Sequence, residues 1–173
     1  MIKRAFDPVV DARTRLLILG SLPGDASLKA AQYYAHPQNG FWRLIGGVVG
    51  VELAALPYRD RLEALNASGV GLWDVIASAE RPGSLDAAIR STEAADLRGL
   101  TAGLPDLRAV AFNGGASAKL GRRILSSAHD RGQRLDLIDL PSSSAAHARP
   151  LSEKAASWSI LQRYLPQSLP DRS

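Results

Sequence analysis

Four successive apolar residues, Leu16-Leu17-Ile18-Leu19, run straight into the turn Gly20-Ser21-Leu22-Pro23-Gly24. Side chains alternate between the two faces of a strand, so a strand without polar alternation must be covered on both sides. Short apolar runs with this character span Arg15 to Leu19, Gly69 to Trp73, Leu107 to Phe112 and Leu135 to Leu140. Helical spacing fills the intervals, over Phe41 to Val49, Arg59 to Ala67, Glu93 to Gly103, Ala116 to Ser127 and Leu151 to Leu165. The alternation predicts an α/β chain of three layers, α/β/α. Its central, mostly parallel four-stranded sheet carries helices on both faces.

The 173 residues suit one domain with a substantial core, expected over residues 1–165, with a frayed Pro/Ser/Asp tail over 166–173. Twenty-one basic against 17 acidic residues leave a net charge of +4, which suits a polyanionic partner and equally suits a basic enzyme without one. Cysteine is absent, which excludes disulfides, cysteine-ligated zinc, iron–sulfur clusters and a thiol nucleophile. With His36, His129 and His147 as the complete histidine set, no metal centre is expected. No apolar run approaches the roughly 18–20 residues of a membrane span, and the N-terminus has no secretory pattern, so a cytoplasmic, membrane-free protein is expected.

In open parallel sheets, ligands bind beyond the carboxyl ends of the strands. That rule gathers four loops: Gly20–Asn39, Asp74–Ser84, Asn113–Gly115 and Pro141–Arg149. The first holds Gly20, Ser21, Leu22, Pro23 and Gly24, where backbone can approach a ligand closely, followed by Tyr33-Tyr34-Ala35-His36-Pro37-Gln38-Asn39-Gly40-Phe41-Trp42. Aromatic faces beside a carboxamide suit a flat polar ligand such as a nucleobase. Trp42 and one of the two tyrosines read as core, leaving one aromatic, Tyr34, for the base. Asn39 reads either as a base or water contact or as the turn residue of an Asn-Gly pair.

Asp74 closes the strand Gly71-Leu72-Trp73-Asp74, where a carboxylate could activate water, stabilise positive charge on a sugar, cap a helix or pair with arginine. Asn113 follows the third strand, in the loop with Gly114-Gly115. Pro141-Ser142-Ser143-Ser144-Ala145-Ala146-His147-Ala148-Arg149 ends the fourth, and its hydroxyls, amides, His147 and Arg149 suit a phosphate backbone. Lys119, Arg122, Arg123, Arg131 and Arg134 form a basic cluster that fits either a phosphate contact or a solvated helix face.

Taken in order, these segments resemble the uracil-DNA glycosylase superfamily. Gly20–Gly24 is similar to its first motif, Ala35–Trp42 to the HPxNxFW segment of its mismatch-specific branch, and Pro141–Ser144 to its DNA-clamping motif. The resemblance covers roughly Leu16 to Arg149. Leu22 stands where the mismatch-specific enzymes carry a catalytic asparagine, and Leu140 where classical uracil enzymes carry histidine. These departures, with Gly71–Val75 and Ser142–Ala148, resemble the hypoxanthine-DNA glycosylase family of that superfamily. Ala145 departs from the proline expected at the end of the serine motif.

The resemblance implies a monofunctional glycosylase without cofactor, acting on double-stranded DNA that contains a deaminated base, in base excision repair. Catalytic candidates are Asn39, His147 and Asp74. Base-binding candidates are Gly20, Ser21, Leu22, Pro23, Gly24, Tyr34 and Asn113. DNA-binding candidates are Ser142, Ser143, Ser144, Ala145, His147 and Arg149. The lysines are Lys3, Lys29, Lys119 and Lys154, and the resemblance assigns a lyase role to none of them. Rival readings are a uracil or G·T/U mismatch enzyme of the same fold, a non-catalytic DNA-binding module, and a hydrolase of small nucleotides. A monomer is expected.

Overall fold

The computed structural model describes residues 2–80, 90–125 and 135–166. Its central sheet has strands β2 (Leu16–Gly20), β3 (Val70–Asp74), β6 (Ala109–Asn113) and β7 (Asp136–Leu140), in the order β3-β2-β6-β7. All three pairings are parallel. The register sets Gly20 opposite Asp74 and Asn113 opposite Leu140, so the strands end level along one edge.

The uninterrupted apolar run of β2 is buried on both faces, as its sequence requires. Leu16 and Ile18 join one core with Phe41, Trp42 and Ile45 of α2 (Phe41–Val49) and Trp158 of α6 (Leu151–Trp158). Leu17 and Leu19 join the opposite core with Leu97 of α4 (Leu97–Ala102) and Leu125 of α5 (Gly115–Leu125). Helix α3 (Tyr58–Ala67) supplies Leu65 to the first core. Helix α2 stops where Gly50 takes φ +74°, a left-handed conformation suited to glycine at a helix end. Among the described residues no helix is long and apolar enough to cross a membrane.

The structure corrects three expectations. The segment after Asp74 is not simply a loop. Ile76–Glu80 forms β4, which lies between β1 (Ile2–Arg4) and β5 (Arg90–Ala94) in a separate antiparallel sheet. The helix expected over Glu93 to Gly103 begins only at Leu97, because Asp96 caps it by accepting the Gly99 amide at 3.0 Å. Two short elements also lay below the reach of periodicity: three-residue β1 and six-residue α1 (Asp25–Ala30). The buried Lys3 ammonium links them through the Asp25 carboxylate. The last expected helix changes to a 3-10 turn over Ser159–Tyr164. Gly83 and Ser84, residues 126–127 of the α5 expectation and the tail from 167 onward lie outside the described residues.

Candidate active site

A cavity of about 520 Å³ opens at the carboxyl edge of the central sheet. Gly20, Ser21, Leu22, Pro23, Gly24, Tyr34, Asn39, Asp74, Asn113, Ser142, Ser143, Ser144, Ala145 and His147 all line it. Arg149 does not. It is exposed and pairs with Glu153 at 3.5 Å on the start of α6. His36, Gln38 and Ser27 line the cavity as well. The first two lie inside the Ala35–Trp42 segment and were legible from it. Ser27 belongs to the unexpected α1, where its hydroxyl accepts the Ala35 amide at 3.1 Å.

The floor is built around Gly20. A methyl group there would lie 2.7 Å from Asp74 Oδ1 and 3.1 Å from the Tyr34 hydroxyl. Only glycine lets these two polar groups converge at the strand end. Asp74 is 3% exposed, so its carboxylate is held away from bulk water. Leu22 is buried and adds an apolar wall continuous with the core that holds Leu17 and Leu19.

Both tyrosines line the cavity, but they differ in burial and packing. Tyr33 is buried edge-on against Phe6, and its hydroxyl donates to Asp7 O at 3.2 Å. Burial first, and the Asp74 charge second, push its pKa far up, so this hydroxyl stays protonated. Tyr34 is half-buried, takes φ +55°, and stacks on Phe41 with ring centroids 3.8 Å apart at 20°. Phe41 therefore backs a tyrosine ring that lines the cavity. Trp42 is core, 5% exposed.

Asn39 takes the turn role its sequence allowed and also lines the cavity. Its Oδ1 accepts the Phe41 amide at 3.0 Å, which is a turn and helix-start role, and the half-buried side chain also lines the cavity. With the oxygen committed to α2, the amide hydrogens are what the side chain offers a ligand.

Asn113 lines the cavity and also ties down the serine loop. Its Nδ2 donates to Ser143 Oγ and its Oδ1 accepts the Ser143 amide, both at 2.9 Å. Ser143 is 2% exposed, and its carbonyl accepts the Gly40 amide at 2.9 Å. The serine loop is thereby fixed both to β6 and to the Asn39-Gly40 turn. Ser142 Oγ accepts the Ser144 amide at 3.1 Å, and Ser144 Oγ accepts the Ala146 amide at 3.2 Å. Beyond them Ala145, Ala146, His147, Ala148 and Arg149 are exposed. In the basic cluster, Arg122 is tied to Asp139 at 2.8 Å, while Arg131 and Arg134 lie outside the described residues.

The parallel sheet and the glycine-floored cavity at its carboxyl edge define a uracil-DNA glycosylase-like α/β protein. The sequence model of the Uracil DNA glycosylase superfamily matches residues 8–164, and the chain belongs to that superfamily. It is 41% identical over 158 residues to the Hypoxanthine DNA glycosylase of Methanosarcina barkeri, covering 91% of this chain and 96% of that protein. The Hypoxanthine DNA glycosylase of Methanosarcina acetivorans is 38% identical over 164 residues, covering 95% of this chain and 100% of that protein. A solution NMR structure of a candidate uracil DNA glycosylase from Methanosarcina acetivorans superposes with a TM-score of 0.81 at 39% identity. That alignment covers 94% of this chain and 98% of the other.

Proposed function

We propose that this chain is a monofunctional DNA glycosylase that removes hypoxanthine from deoxyinosine in double-stranded DNA. The observation that carries the reading is the cavity itself. A Phe41-backed Tyr34 ring, the buried Asp74 carboxylate and the Asn39 amide line one cavity with a tied-down serine loop whose Ala145–His147 end is exposed. Two relatives that match nearly the whole chain bear the name Hypoxanthine DNA glycosylase, which supports the choice of base.

A base inside the duplex shields its glycosidic bond and must leave the stack, at a cost of a few kcal/mol that is lower for a poor pair. Ser142 and Ser144 hold the backbone of the damaged strand, and Ala145–His147 enter the space the base vacates. Tyr34 stacks on the extruded purine. Water adds to C1′ as the C1′–N9 bond breaks, the bond's electron pair leaves with the purine, and the proton that the water loses ends on the departing base. The Asn39 amide hydrogens face acceptors of the purine and stabilise the negative charge that develops there. Asp74 contacts the polar edge of the base or the attacking water and stabilises positive charge on the sugar. Leu22 leaves the turn without a carboxamide, so Asn39 carries that role. Asn113 acts by holding Ser143, and His147 touches the DNA at the cavity rim. Release of the base leaves an abasic site, the opening step of base excision repair, carried out in the cytoplasm.

The test uses labelled duplexes with one deoxyinosine, one uracil or one G·T mismatch, incubated in EDTA and then treated with alkali. Cleavage at deoxyinosine alone supports the reading and its independence of divalent metal. Cleavage mainly at uracil would keep the mechanism and replace the substrate. Binding without cleavage anywhere would replace the enzyme by a DNA-binding module.

A further inference from the structure

No residue of helix α6 lines the cavity, yet two of its side chains end on the loop that borders it. Lys154 and Trp158 lie four residues apart, on one face of the helix. The Lys154 Nζ donates to Ser144 O at 3.1 Å, and the Trp158 Nε1 donates to Pro141 O at 3.0 Å. Both residues are buried, at 3% and 0% exposure. The helix therefore grips the serine loop at two carbonyls.

The Ser144 carbonyl has a second role. It accepts the His147 amide at 3.0 Å and so closes the turn that displays Ala145, Ala146 and His147. Those three residues are exposed and form the outer lining of the cavity. One oxygen is thus both the closure of the protruding turn and its anchor to the body of the protein. A lysine buried merely to fill space would carry a needless desolvation cost, which an apolar side chain avoids. Burial, with the Arg149 charge second, holds this amine below the usual lysine range.

We infer that Lys154 is a positioning residue for base extrusion, fixing through Ser144 O the height and rigidity of the Ala145–His147 turn over the duplex. The inference rests on the DNA glycosylase reading. In it Lys154 touches neither base nor sugar. A turn that gives way when it meets the stack cannot hold the gap open, so loss of the anchor slows extrusion and leaves bond cleavage intact.

The experiment is stopped-flow fluorescence with 2-aminopurine placed beside deoxyinosine in a duplex, run in parallel with single-turnover excision. Lys154→Met should slow the fluorescence rise about tenfold, the effect of losing one charge-assisted hydrogen bond at that step, and slow excision in step with it. Lys154→Arg, which keeps a cationic donor, should recover most of the rate. Lys154→Gln, which stops short of the carbonyl, is the second variant should the methionine protein not fold, and it should behave like it. A wild-type fluorescence rise with slow excision, or no change in either, would overturn the inference. Wild-type protein that shows neither rise nor excision would instead overturn the glycosylase reading.

Discussion

Asn113 and Ser143 exchange two hydrogen bonds of 2.9 Å, side chain to side chain and backbone amide to side chain, across 30 residues of sequence. Both residues are at most 9% exposed. The pair joins the end of β6 to the serine loop in a single reciprocal contact. Removing one partner strands polar atoms that water does not reach, at a cost of about 1–3 kcal/mol. Asn113→Leu should therefore lower the melting temperature by several degrees, about 2–4 °C per kcal/mol for a chain of this size, when followed by calorimetry. Excision should fall with it, because the loop loses its place. Ser143→Ala, which keeps the backbone amide bonded to Asn113 Oδ1, should cost less than Asn113→Leu on both measures.

Asn39 allows its two roles to be separated by chemistry. Asn39→Ala loses the bond to the Phe41 amide and the amide hydrogens together. It should destabilise the protein by about 1 kcal/mol, as for a lost helix-start contact. The single-turnover rate should fall at least about 100-fold. Asn39→Asp keeps an oxygen for the Phe41 amide and removes the donor. Thermal unfolding should return close to wild type, while excision stays lost. An aspartate variant with wild-type excision would show that the turn role is the whole role.

Gly20→Ala places a methyl group 2.7 Å from Asp74 Oδ1, and both Asp74 and Tyr34 have to move. Overpacking of this kind costs about 1–3 kcal/mol in stability. The larger effect should be kinetic, since the displaced groups are the ones proposed to meet the base. Gly47 is the control, because a methyl group there meets nothing within 4 Å. Single-turnover rates of the two alanine variants should differ at least tenfold, an estimate of about 1.4 kcal/mol in the barrier.

Tyr34→Ala removes a stacking surface worth about 1–3 kcal/mol per base. Affinity for a deoxyinosine duplex should fall about tenfold or more, read by titration, while affinity for an undamaged duplex changes little. Tyr34→Phe should retain the stacking and report on the hydroxyl alone. Tyr33→Phe should show its effect in thermal unfolding, since that ring packs against Phe6 rather than stacking on Phe41.

His147→Ala should weaken duplex binding and leave the single-turnover rate unchanged at saturating protein. The residue stands exposed on the turn closed by Ser144, outside the floor where Asp74 and Tyr34 converge. A rate that falls at saturation would instead assign His147 a part in the chemistry.

The central sheet was legible because β2 carries no polar alternation, and an apolar run of that kind can sit only between two covering layers. The cavity was legible for a related reason: parallel strands in level register deliver their carboxyl-end loops to one edge. Uses of individual side chains were less so. Asn113 at a strand end reads as ligand-facing, and nothing near it in the chain announces that its carboxamide also makes two hydrogen bonds to Ser143. The strand over Ile76–Glu80 was missed because its neighbours are a three-residue strand at the N-terminus and a segment that reads as helical. Lys154 carries no motif at all, since its meaning comes from a carbonyl ten residues upstream.

Tyr34 lies against Phe41 before any ligand arrives, in a backbone conformation that few tyrosines adopt. A ring fixed in this way has little rotational freedom left to surrender when a base settles on it. One of its faces is already taken, so it can stack on a single base from a single side. In the proposed complex, selection then starts with which side of an extruded purine is presented, before any hydrogen bond is formed.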